Sequence, residues 1–287
     1  VALGPGGEIV AAGSVGSAPT TEAVAEFSSS GSAASQLFGF GGNSLASGVA
    51  VQPDGKIVVV GRRNSGQAVD AVIARLDANG TQDSTFAGGG AEIYDYPGAG
   101  STAFGAVTLQ NNGQIVVGGQ ANALSGPQAI FLRYGSGGSP DTSFGSAGVS
   151  AVPASQSLNI NPGGSVGAYG VGIAGPAGDI VGAGPFEFGG AEVDAAVWAV
   201  GPSGAAASGF TKLGPGPTPT GSSHSYEACA LAVAPDGSPD AGELVTVGDT
   251  PSTPDESPCA SGESANGFVA SYIGFGPPPP PAPGRRP

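Results

Sequence analysis

One phrase, written five times, constrains this 287-residue chain more than any other feature. It reads Val49-Ala-Val-Gln-Pro-Asp-Gly55-Lys-Ile-Val-Val-Val-Gly61 in its second copy. It returns from Val1 to Gly13, from Val107 to Gly119, from Gly172 to Gly184 and, with an insertion, from Leu231 to Gly248. Each copy is an apolar strand, a glycine turn, a second apolar strand and a closing glycine. Asp-Gly, Asn-Gly or Gly-Gly at the turn supplies the positive φ that a β-hairpin requires. Self-similarity at a period of this size marks an architecture built from stacked units.

A third strand follows in every unit: Ala23 to Phe27, Val72 to Leu76, Ile130 to Tyr134, Ala196 to Val200 and Phe268 to Tyr272. Each ends four positions before a second marker glycine, Gly31, Gly80, Gly138, Gly204 or Gly276. The two markers lie 24, 25, 25 and 26 residues apart in the first four units, and 39 apart in the fifth, which carries insertions. A fourth strand is expected to end at Phe38, Phe86, Phe144 and Phe210. The unit is therefore read as a four-stranded antiparallel meander. Helix is excluded as the main element by 54 Gly and 26 Pro, which disfavour a helix interior by about 1 and 3 kcal/mol each. Strands such as Lys56 to Val60 are apolar at successive positions, which implies burial on both faces. Sheets covered on both faces and repeated in series suit radially stacked blades. The expected fold is all-β, a β-propeller of about five four-stranded blades spanning 1–48, 49–105, 106–170, 171–229 and 230–276, the last one incomplete.

The phrases Gln52-Pro-Asp-Gly-Lys-Ile-Val-Val-Val-Gly, Val72-Ile-Ala-Arg-Leu-Asp-Ala-Asn-Gly and Asp83-Ser-Thr-Phe resemble the delta-60 repeat of bacterial secreted and surface proteins. That family in turn resembles the NHL and YVTN-type β-propellers. The likeness covers residues 1 to about 276 and is sharpest in the second and third units. It implies a propeller and a secreted or cell-surface bacterial location. It implies no activity, since the family has no generally assigned catalytic residues.

In a propeller the first strand of each unit lies nearest the axis, and the small residues Ala50, Ala174 and Ala232 suit that crowded centre. Phe38, Phe86, Phe144 and Phe210 are expected to wedge between neighbouring blades, each contributing about 1.5–3 kcal/mol of burial. The competing reading makes them the core of an ordinary sandwich. The fifth unit stops after its third strand, and no spare strand precedes Val1. Three readings follow: a fragment of a larger ring, a short blade that closes by face packing, or an open edge that accepts a strand from another molecule. Residues 277–287, with five consecutive prolines, favour polyproline II and read as a linker or tail.

Eight Lys and Arg stand against 22 Asp and Glu, for a net charge of −14. Such a chain is a poor match for nucleic acid or for anionic membranes. Its longest apolar runs are too short to span a bilayer. A chain that contains no Met and begins at Val1 is expected to be processed or a fragment. Cys229 and Cys259 form an even pair, which suggests a disulfide in an oxidising compartment; two reduced, buried thiols are the alternative.

Oxygen side chains alternate along Asp77, Asn79 and Asp83, and again along Asp236, Ser238, Asp240 and Glu243. Loops of this kind can wrap calcium, the one cofactor the sequence raises, although neither is a full EF-hand. The plain alternative is a hairpin turn and a solvated acidic insertion. Gly163-Gly-Ser165-Val-Gly167 fits the hydrolase pattern G-x-S-x-G, but it lies in a Pro- and Gly-rich connector without a following helix. His224, the only histidine, reads as a loop residue. No catalytic set emerges. The expected function is a non-enzymatic extracellular β-propeller that serves as a surface interaction or structural module, with a protein or cell-surface glycan as partner. The alternatives are self-association through the open fifth blade, and a secreted polysaccharide lyase or hydrolase with its site at the channel mouth.

Overall fold

Alternating hairpins of β-branched residues are what this composition can build, and the computed structural model contains five meanders of them. It describes residues 1–16, 21–28, 30–40, 43–66, 68–124, 126–153, 167–174, 178–188, 192–213, 227–233, 244–250 and 266–272. The first meander is β1 (Ala2–Leu3), β2 (Ile9–Val15), β3 (Thr21–Phe27) and β4 (Ala33–Phe38). The second is β5 (Asn43–Val51), β6 (Ile57–Asn64), β7 (Val69–Leu76) and β8 (Ala91–Tyr94). The third is β9 (Ala99–Leu109), β10 (Ile115–Ala123), β11 (Gly126–Tyr134) and β12 (Val149–Pro153). The fourth is β13 (Gly170–Ala174), β14 (Asp179–Phe188), β15 (Glu192–Val200) and β16 (Ala206–Leu213), and the last described strands are β17 (Glu227–Val233), β18 (Leu244–Thr250) and β19 (Asn266–Tyr272). Within each meander neighbours pair antiparallel in chain order. The second and third meanders are further joined through one parallel residue pair, Val69 with Ser101, so their strands count as one sheet.

The marker glycines set the turns. At Gly55 φ is +84°, its N–H donates to the Gln52 carbonyl at 2.9 Å, and the Gln52 N–H donates to the Lys56 carbonyl at 2.8 Å. Only the glycine has positive φ in this turn; Asp54 does not, so the turn is a longer loop closed by one left-handed residue.

Alternate residues of a strand point to opposite faces, and each meander uses both. Ile57, Val59, Val72 and Leu76 pack back onto Val10 and Val24 of the preceding meander. From the other face Val58, Val60 and Ile73 meet Ile115, Val117 and Ile130 of the next. Val116 and Phe131 then meet Ile180, Trp198 and Val200. The first strands form an inner row: β1 packs against β5, β5 against β9, β9 against β13 and β13 against β17. Ala50 and Ala174 are buried there, while Ala232 is exposed.

One expectation is corrected. The fourth strand ends at its Phe only in the first meander, where Phe38 closes β4. Phe210 lies inside β16, which continues to Leu213. Phe86 opens a short 3-10 turn, and Phe144 lies in the connection to β12, so in the second and third meanders the Phe precedes the fourth strand.

Candidate functional site

Two sites stand out, and Gln52 belongs to both. The first is a clamp between meanders. Arg75 on β7 is 8% exposed and Asp83, in the loop after it, 4%. The Arg75 Nε donates to Asp83 Oδ2 at 2.8 Å, and Lys56 Nζ donates to the same oxygen at 2.6 Å. Asp83 Oδ1 accepts from the Thr85 backbone N–H at 3.0 Å and from its hydroxyl at 2.6 Å. Arg75 Nη1 reaches across to the Ser136 carbonyl of the next meander at 2.6 Å and to Gln52 Oε1 at 3.1 Å. Its guanidinium lies over the Phe86 ring, 4.8 Å from the centroid. Phe86 is fully buried against the Gly138 turn, and the Ala87 N–H donates to the Gly137 carbonyl at 2.9 Å.

The assembly recurs 58 residues later without the glutamine contact. Arg133 Nε donates to Asp141 Oδ2 at 2.8 Å, Gln114 takes the place of Lys56, and Ser143 the place of Thr85. Arg133 Nη1 donates to the Pro202 carbonyl of the fourth meander and stacks over Phe144. The first meander has Glu26 and Ser35 at the equivalent positions, and the fourth has Ala199 and Ala207. The ionic clamp therefore ties the second meander to the third and the third to the fourth.

These contacts shift the carboxylates. Hydrogen bonds from Lys56 and then from Thr85 hold Asp83 far below its usual value of 3.8. The Ser143 hydroxyl, with help from Arg133, holds Asp141 at about 2. A carboxylate depressed in the folded state adds stability that is complete above its unfolded value and is lost as pH falls through its folded one. Unfolding free energy should therefore decline as pH drops from 3.8 to about 2. Denaturant titrations across that range check this, and Asp141→Asn should remove part of the slope.

The second site is a cavity of about 390 Å³ at one end of the inner row. Leu3, Val51 and Leu109, the last residues of β1, β5 and β9, line it together with the turn residues Pro5, Pro53, Gln52, Gln110 and Asn111. Gln52 is held in place by the clamp: its Oε1 accepts from Arg75, and its Nε2 donates to the Ser136 carbonyl at 3.2 Å. Gln110 stands at the same position of the third meander, and its Oε1 is buried without a hydrogen-bond partner.

The residues singled out from the sequence fall as follows. Asp77 and Asp83 do not open toward a shared ion position; both meet Lys56, at 3.4 and 2.6 Å. Asn79 Oδ1 accepts from the backbone and hydroxyl of Thr81 within its own turn. Asp236, Ser238, Asp240, Glu243, Ser165 and His224 lie outside the described residues. Cys229 is on β17 and Cys259 lies outside the described residues. Phe38 packs on the core between the first two meanders, with its ring 5.2 Å from that of Phe40. Phe144 is fully buried between the third and fourth. The side chain of Phe210 is outside the described set. Arg75, Arg133, Gln52 and Gln110 went unread in the sequence; the shared 58-residue spacing of Arg, Asp, Thr or Ser and Phe was the signal that could have found them.

Residues 52–86 and 110–144 match a family described as "Domain of unknown function (DUF5122) beta-propeller". Each matched segment runs from a cavity glutamine to a stacked phenylalanine. No curated protein sequence matches the chain. The crystal structure of a protein of unknown function from Dyadobacter fermentans DSM 18053 superposes with a TM-score of 0.52, at 12% identity, over 94% of this chain and 81% of that one. Pyrococcus horikoshii acylaminoacyl peptidase gives a TM-score of 0.40 at 10% identity, over 93% of this chain and 37% of that one. Chaetomium thermophilum Sqt1 gives 0.36 at 13% identity, over 87% and 67%. The chain is an all-β repeat protein of the β-propeller type.

Proposed function

We propose that the chain is a non-enzymatic extracellular propeller of five blades, an interaction or structural module whose binding face is the cavity at the end of the inner row. The observation that carries this reading is a 390 Å³ space walled by three successive meanders, with Gln52, Gln110 and Asn111 among its lining residues. A few neutral amides in a largely apolar wall are the polar groups that fix a ligand's orientation. The walls are Leu, Val, Pro and neutral amides, which suits a neutral protein segment or glycan. No carboxylate stands among the described lining residues. Polysaccharide hydrolysis draws on two of them, so binding is favoured over the secreted lyase or hydrolase alternative. The extracellular placement rests on the cysteine pair and on the resemblance to secreted repeat proteins.

The test is a titration of isotope-labelled protein with neutral oligosaccharides and with extended, uncharged peptides. At least one class should move the amides of Gln110, Asn111 and Gly113, and Gln110→Leu should weaken that binding about tenfold. Silence of these amides toward both classes overturns the assignment of the face. Cleavage of any polysaccharide by the unmodified chain replaces the reading with the enzymatic one.

A further inference from the structure

We propose that the layer between the first and second meanders binds a hard divalent cation such as calcium, held by the carboxylates of Glu22 and Asp70. Glu22 on β3 is 0% exposed, and among the described residues neither of its oxygens has a hydrogen-bond partner. A carboxylate taken out of water without a counter-charge is among the most unfavourable groups a fold can carry. Buried carboxylates persist where they are paired or where they coordinate a metal.

Register shows what Glu22 faces, because alternate residues of a strand share a face. In the first meander Val24 of β3 and Val10 and Ala12 of β2 pack toward the second meander. Glu22 and its cross-strand partner Ser14 have the same parity and face the same way. In the second meander Val59 of β6, Val72 of β7 and Ala46 of β5 pack toward the first. Steps of two or four along these strands reach Arg63, Asp70 and Ser44, which pair side by side as one row. The Ala46 N–H donates to the Ser14 hydroxyl oxygen at 3.0 Å and fixes the two rows against each other. Ser44 and Asp70 are both buried. Glu22 therefore meets a second carboxylate across the layer, at the end of the strands away from the cavity.

Two carboxylates there stand against one guanidinium. Arg63 Nε donates to Asp70 Oδ2 at 3.2 Å, and Asp70 Oδ1 has no partner among the described residues. Arg62, the neighbouring cation, lies on the opposite face of β6 and is exposed. The donors are all oxygens, the set that calcium takes in irregular shells. Glu22 can give two of them, Asp70 Oδ1 a third and the Ser14 hydroxyl a fourth. Water completes the shell from the side where Arg63 is 27% exposed. With only two carboxylates and a guanidinium close by, the dissociation constant should fall at the weak end of calcium sites, about 10⁻⁴–10⁻³ M. The site is separate from the cavity and does not depend on what the cavity binds.

Thermal unfolding of the full chain, first in chelator and then with calcium chloride added up to about 10⁻² M, tests this. The midpoint should rise with calcium, because a cation that binds only the folded state stabilises it. Glu22→Gln keeps the shape and removes the charge. It should abolish the rise and unfold in chelator no earlier than the parent. Asp70→Asn should weaken the apparent affinity about tenfold. Calcium titrated into the isotope-labelled parent should move the amides of Ser14, Glu22 and Ser44 first, a readout that stands should Glu22→Gln fail to fold. A midpoint indifferent to calcium overturns the proposal. A rise that survives Glu22→Gln, or shifts confined to other acidic loops of the chain, overturns it as well.

Discussion

Asp83→Ala lowers the unfolding free energy by about 3–5 kcal/mol, the usual loss when a buried ion pair is broken from one side. Arg75 and Asp83 are 8% and 4% exposed, so water cannot replace the missing carboxylate. The guanidinium then lies between the Phe86 ring and Gln52 with its charge uncompensated. The same change removes both hydrogen bonds that Thr85 makes to Asp83 Oδ1, and with them the turn that aims Phe86 at the next meander. Asp83→Asn separates the two effects: it keeps an acceptor for Thr85 and drops only the charge, so its loss should be smaller. Asp141→Ala should also be milder. There Gln114 stands in place of a lysine, and the carboxylate is 19% exposed. Urea unfolding of the three variants checks the order. A loss under about 1 kcal/mol for Asp83→Ala would mean that the apolar faces alone hold these meanders together.

The turn at Asp83 also explains where the sequence misled. Ser84-Thr85-Phe86 reads as a strand end because Thr and Phe favour strands. An aspartate that accepts from the backbone two residues on offers the chain a turn instead. The fourth strand then begins only at Ala91, and at Val149 after the equivalent Asp141 turn. The first meander has Ser35 and Leu37 in place of Asp83 and Thr85, and the fourth has Ala207 and Gly209. Neither can form the pair, and β4 and β16 run through to their Phe. The competition between side chain and ladder decides each case.

The glycine markers were legible because backbone geometry forces them, and the third strands because their apolar runs have nowhere else to go. The clamp was not. Arg75 interrupts an apolar run, and no local pattern records that it turns inward to a carboxylate and a neighbour's carbonyl. Lys56 was equally hidden from the reading of the Asp77 loop. Alternating oxygens along Asp77, Asn79 and Asp83 look like a ligand string until Lys56, distant in sequence, is seen to meet two of them. The cavity lay further out of reach, since its walls come from three units and no local pattern records their meeting.

Gly119→Ala should be unfavourable by about 2–3 kcal/mol, although its backbone is ordinary and only one methyl is added. The cause is a bulge. Along β10 and β9, Gly118 pairs with Ala106 but Gly119 pairs with Phe104, so Gly105 has no partner residue. The extra residue bends β9 and lays the Ala103 carbonyl over Gly119, where a Cβ would meet its oxygen. The second meander repeats this, with Ser47 skipped and the Leu45 carbonyl over Gly61. In the fourth, the Gly167 carbonyl covers Gly184. The closing glycine of the repeated phrase is thus required by the bent inner strand, which must curve to join the inner row. Gly13 tests the argument from within. It opposes no bulge, since β1 pairs only with Ile9 and Val10 and does not reach it, and nothing lies within 4 Å of a Cβ built there. Gly13→Ala should therefore be neutral or slightly stabilising, because glycine inside a strand sacrifices backbone entropy. Equal losses at Gly13 and Gly119 in denaturant unfolding would rule out the bulge as the reason for the glycine and leave its presence to the turn alone.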